Sequence, residues 1–197
     1  MKTSLEAFNF FKFLTSGRCN FEVEGLHFHD HSKEKILFER PMQEQYNCCL
    51  ALKSEGNELF KSGDYKSSLS MYKKVMIQLD YAFPEDEEFL KKFEDVKLST
   101  NLNMAIVNYK LNNFNDSIKH CNEVLSDYPD NLKALTRKAM SFMALCKLNE
   151  ARSILMKILQ LDENSEYAKK ELERIKQIEG KTSLQERNLY KSMITKF

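Results

Sequence analysis

The sequence predicts an all-α protein: three stacked helical hairpins closed by a C-terminal helix. Two observations carry this expectation. Only five glycines and three prolines occur in 197 residues, which suits long helices and argues against a sandwich or barrel. Segments with helical patterning also recur at a fixed offset of 34 residues.

The recurrence can be read residue by residue. "NNFNDSIKHCNEVLSDYPDN" (112–131) lies over "CKLNEARSILMKILQLDENS" (146–165), so that Phe114 matches Leu148, Ser117 matches Ala151 and Leu125 matches Leu159. Upstream, "KSGDYKSSLSMYKKVMIQLD" (61–80) matches again, with Tyr65 over Phe114 and Ser68 over Ser117. That offset is 49, one period with 15 residues added. Two helical patterns per 34 residues are the signature of the tetratricopeptide repeat, whose hairpins stack into a right-handed superhelix.

Each unit carries the packing logic of such a stack. A small residue on the first helix (Gly56, Ala105, Ala139) and another on the second (Ser68, Ser117, Ala151) allow close approach. Tyr65, Phe114 and Leu148 open the second helices, and Asp64 and Asn113 precede two of them as caps. The repeats are expected at about 46–80, 85–130 and 131–163. The inserted stretch, "YAFPEDEEFLKKFEDVKLST" (81–100), reads as a backward extension of the first helix of repeat two. Pro84 and the acidic run after it suit a helix start. Residues 164–197 read as a capping helix and tail, with Ala168, Leu172 and Ile175 as the covering stripe and Gly180 as a break. Residues 1–45 fit none of this and read as an N-terminal extension, poorly ordered or packed on the repeats.

Composition excludes several function classes. Thirty basic and 29 acidic residues leave a formal net charge of +1, so no global bias marks a nucleic-acid or membrane binder. Any electrostatic function is local. The five cysteines lack paired spacing and no secretory signal precedes them, so reduced thiols and a cytoplasmic location are expected. "GLHFHDHS" places His27, His29 and His31 in alternation, a possible set of three Zn²⁺ ligands. The preferred reading is a polar stretch outside the fold, with no metal and no other cofactor.

The first helices of the hairpins line the concave face of such a stack, so their inner polar residues identify the site. Lys53 and Asn57 stand four apart on the first, Asn103 takes the inner position on the second, and Lys133 and Arg137 stand four apart on the third. Two ammonium groups, a guanidinium and two carboxamides, with no acid among them, suit an anion with several oxygens. A peptide's terminal carboxylate beside an acidic side chain has that form.

These five residues resemble the two-carboxylate clamp of tetratricopeptide co-chaperones. The stretches "EGNELFKSGDY", "LNMAIVNYKL", "NLKALTRKA" and "ERNLYKSMI" resemble the repeat module of FK506-binding immunophilins and of tetratricopeptide repeat domain 9-like proteins. The resemblance implies binding of the Glu-Glu-Val-Asp C-terminus of Hsp90, or of Hsp70. Lys53, Asn57 and Asn103 would hold the terminal carboxylate, and Lys133 and Arg137 the acidic side chain. An immunophilin carries its prolyl-isomerase domain before the repeats, and about 45 residues are too few for one. The expectation is therefore a non-enzymatic, monomeric adaptor. The alternatives are a scaffold for a non-chaperone partner, or the repeat part of an immunophilin-like protein without its isomerase domain.

Overall fold

The computed structural model describes residues 41–194, with side chains described as far as Lys181 and at Gln185. His27, His29 and His31 lie outside the described residues, as does most of the N-terminal extension. Seven helices account for nearly all of the described chain: α1 (Met42–Lys61), α2 (Tyr65–Asp80), α3 (Glu87–Lys110), α4 (Phe114–Asp127), α5 (Leu132–Ala144), α6 (Leu148–Leu161) and α7 (Glu166–Ile194). They pack as hairpins α1/α2, α3/α4 and α5/α6, with α1 against α3, α3 against α5, and α7 against α6. This is the all-α superhelical stack that the 34-residue period predicts.

The hairpin turns repeat as faithfully as the helices. Gly63 (φ 88°), Asn112 (φ 61°) and Cys146 (φ 56°) take the left-handed conformation at corresponding positions, ending one helix and admitting the next. Glycine adopts it without strain and asparagine tolerates it, whereas a cysteine there is uncommon. The expected caps are realised once. Asp64 accepts the Ser67 N–H, but Asn113 makes no side-chain cap.

Close helix approach rests on the small residues. A Cβ added to Gly56 would stand 2.8 Å from Cε1 of Tyr72, so only glycine lets α1 meet that ring. Ser68 and Ser117, at the small-residue positions of the second helices, are fully buried with their hydroxyls engaged. Ser68 donates to the Gly56 carbonyl at 2.8 Å. Ser141 Oγ lies 2.8 Å from Ser117 Oγ and 2.9 Å from the Arg137 carbonyl. A hydroxyl donates once, so Ser117 donates to Ser141 and Ser141 donates to the carbonyl. Asn108 is likewise buried and donates to the Met104 carbonyl at 2.9 Å.

The inserted residues form helix, as expected. The start lies at Asp86 rather than Pro84, with the Asp86 carboxylate accepting the Glu88 N–H. The added turns bury Phe93 and Val96 against Cys49 and Val75, with Tyr46 edge-on to Phe93. Burying side chains of this kind contributes about 1.5–3 kcal/mol each.

At the other end Ala168, Leu172 and Ile175 cover Leu155 and Ile158. Arg152 of α6 also pairs with Glu179 of α7. The expected break at Gly180 does not occur, because α7 runs through it. One interior glycine costs about 1 kcal/mol relative to alanine, less than the helix-forming turns on either side supply.

Candidate functional site

The inner faces of α1, α3 and α5 meet in a defined register. Lys53 Nζ lies 2.6 Å from Ser99 Oγ, and one turn further on Asn103 Nδ2 donates to Asn57 Oδ1 at 3.0 Å. Both contacts join α1 to α3. Across the next pair of helices, Arg137 Nη1 donates to the Leu102 carbonyl. Lys133 and Arg137, with Leu132, Thr136, Met140 and Ile106, line an open groove of about 290 Å³. The structure thus brings Asn57 and Asn103 into direct contact, ties Lys53 and Arg137 to α3, and leaves Lys133 exposed at the groove.

Two further residues belong to this arrangement. Ser99 stands one 34-residue period before Lys133, as Asn103 stands one before Arg137, so the repeat frame contained the signal that identifies it. Its hydroxyl donates to the Val96 carbonyl at 3.0 Å and is therefore an acceptor toward Lys53. Tyr72 reaches in from α2, its hydroxyl donating to Asn57 Oδ1 at 2.7 Å. No inner-face pattern points to it, because it lies on a second helix.

The electrostatics are those of a cation cluster whose one acidic influence among the described residues is Asp95 near Lys53. Burial pushes the Lys53 ammonium below the ordinary lysine value, and the Asp95 carboxylate works in the opposite direction. Burial likewise lowers the Arg137 guanidinium, with Cys121 and Tyr72 opposing. The guanidinium stays protonated at neutral pH. Among the described residues no carboxylate lies within 4 Å of Lys53, Lys133 or Arg137. Desolvated, unpaired cations beside carboxamide donors favour an anion able to accept several hydrogen bonds at once.

The remaining chemistry-bearing side chains offer less. Among the described residues no group of three His, Cys, Asp or Glu side chains could hold a metal ion. Cys49 is buried and Cys48 half-buried, with the Gln78 amide bridging their sulfurs at 3.3 Å on each side. Among the described residues no helix is long and apolar enough to cross a membrane.

Paired helices at a 34-residue period, with polar inner faces on α1, α3 and α5, define a tetratricopeptide-repeat module. The module is similar to that of FK506-binding immunophilins. The chain is 31% identical over 168 residues to the human peptidyl-prolyl cis-trans isomerase FKBP4, a match covering 85% of this chain and 37% of that protein. It thus spans little more than a third of the length of that relative.

Among solved structures, the C-terminal repeat domain of a putative FK506-binding protein from Plasmodium falciparum shares the fold. Its TM-score is 0.67 at 24% identity, covering 75% of this chain and 99% of that one. The first repeat domain of Spaghetti (RPAP3), solved with the HSP90 peptide SRMEEVD, matches with a TM-score of 0.56 at 27% identity. That match covers 68% of this chain and 95% of the other. No known family profile matches the chain.

Proposed function

We propose that this module is a non-enzymatic co-chaperone adaptor that captures the acidic C-terminus of cytoplasmic Hsp90, or of Hsp70, in extended form. Lys53, Asn57 and Asn103 hold the terminal carboxylate, while Lys133 and Arg137 take the acidic side chain upstream. One observation carries this reading above the others: hydrogen-bonded rows of donors cross three helices, with no carboxylate among the described residues within 4 Å of the cations. The similarity to a repeat domain solved with a peptide ending in Glu-Glu-Val-Asp supports it. The protein acts as a monomer, and it uses neither metal nor nucleic acid.

Calorimetric titration of the pentapeptide Met-Glu-Glu-Val-Asp against its C-terminal amide tests the proposal. Saturable binding of the free acid with at least tenfold weaker binding of the amide is expected. Equal binding of both, or binding of neither, would overturn it in favour of a scaffold for another partner.

A further inference from the structure

The carboxamide of Asn57 sits at the crossing of α1, α2 and α3. Its oxygen receives two hydrogen bonds, from Tyr72 Oη at 2.7 Å and from Asn103 Nδ2 at 3.0 Å. A carboxamide oxygen has two lone pairs, so this acceptor is fully used. What remains of the side chain is its NH₂ group. With the NH₂ of Asn103 directed at it, the opposite flip of Asn57 alone would set donor against donor. Tyr72 itself has little freedom: it is 1% exposed, and Gly56 lies against its ring closely enough that a Cβ would stand 2.8 Å from Cε1.

We infer that Tyr72, a residue of the second helix outside the groove wall, is a positioning residue that fixes the Asn57 carboxamide as a pure donor toward an anionic ligand. This rests on the proposed capture of a peptide carboxylate and deepens it. The site is set for an anion before the ligand arrives, so little conformational entropy is lost at Asn57 on binding. A neutral amide terminus, which needs an acceptor as well as donors, meets none at this side chain. Gly56 serves the same end indirectly, because any larger residue displaces the ring that carries the hydroxyl.

The test is Tyr72→Phe, which keeps the ring and removes only the hydroxyl, so the fold is retained and a thermal melt verifies it. Affinity for Met-Glu-Glu-Val-Asp is expected to fall roughly fivefold to tenfold, the scale of one directed hydrogen bond. In an Asn57→Ala background the same substitution should change affinity by less than about twofold, because the hydroxyl donates to Asn57. Unchanged affinity in Tyr72→Phe, or an equal loss in both backgrounds, overturns the inference.

A ligand-free measurement separates it from the peptide proposal. By NMR the Asn57 side-chain NH₂ should rotate slowly in the wild-type chain and measurably faster in Tyr72→Phe. If the wild-type chain ignores the peptide, the clamp reading fails while this measurement still decides the role of Tyr72. Identical rotation in both proteins rejects it.

Discussion

Ser99 holds Lys53 across the interface of α1 and α3, with Nζ 2.6 Å from Oγ and the serine hydrogen directed to the Val96 carbonyl. The ammonium therefore keeps two of its three donors for a ligand while its flexible stem is tethered. A lysine on a free stem would lose more rotamer entropy on binding. Removing the tether with Ser99→Ala should weaken the acidic pentapeptide by about 0.5–1.5 kcal/mol. Asp95 then becomes the competing partner, so the loss should shrink in an Asp95→Asn background. Titration in the two backgrounds checks this: an unchanged affinity in Ser99→Ala would show that Ser99 plays no such role, and equal losses in both would remove Asp95 as the competitor.

Lys133 and Arg137 should separate in their effects on stability. Lys133 is exposed at the groove, so Lys133→Ala should cost about 1.5–3 kcal/mol of peptide binding and leave the melting temperature unchanged. Arg137→Ala should cost as much binding and also lower stability by roughly 1 kcal/mol, because its guanidinium bridges α5 to the Leu102 carbonyl. Both losses should diminish at high salt, where the groove is screened. Melting curves and titrations at two ionic strengths decide the matter.

Gly56→Ala sets helix propensity against packing. Alanine gains about 1 kcal/mol in a helix interior. The new methyl would meet the buried Tyr72 ring at 2.8 Å, and overpacking of this kind costs about 1–3 kcal/mol. The net expectation is destabilisation by roughly 1 kcal/mol with an unchanged denaturant slope, accompanied by weaker peptide binding. A more stable variant with wild-type affinity would contradict the close approach of α1 to α2.

The thiols should respond to pH in a defined direction. Burial, with Cys48 adding to it, pushes Cys49 up to about 11, and burial pushes Cys121 up to about 12. In the unfolded chain both fall to about 8.5, so the folded state keeps protons that the unfolded state releases. Their contribution to stability is complete below pH of about 8.5 and declines as pH rises toward 11 and 12. Urea denaturation at pH 8 and pH 10 should show the decline, and Cys121→Ala should reduce it. At pH 8 the exposed Cys146 should alkylate readily, whereas Cys49 and Cys121 should react only on unfolding.

How much of this was legible in the sequence follows from which features are periodic. The helices, the small-residue contacts and the covering stripe of Ala168, Leu172 and Ile175 recur or terminate a recurrence, so the 34-residue frame exposes them. The five residues proposed for the clamp can be picked out because the first helices of such a stack line its concave face. Ser99 stands in the same frame, but an uncharged serine carries no signal for an anion site. Tyr72 was not visible, since its role depends on a hydroxyl crossing from a second helix to a carboxamide on a first. The continuity through Gly180 also escaped, because a single-residue breaker rule ignores the propensity of the flanking turns. The serine relay from Ser117 through Ser141 depends on a close approach that no spacing encodes.

The backward extension of α3 has a consequence for how the stack comes apart. In a linear array each hairpin leans only on its neighbours, and the first frays most easily because one side is bare. Here Phe93 and Val96 reach back along the first hairpin to Cys49 and Val75, so the second unit partly covers the first. Melting of α1 and α2 must therefore disturb α3 as well. The first two hairpins form one cooperative block, and Lys53, Asn57, Ser99 and Asn103 all lie within it. The donors on α1 and α3 should thus persist, or vanish, together.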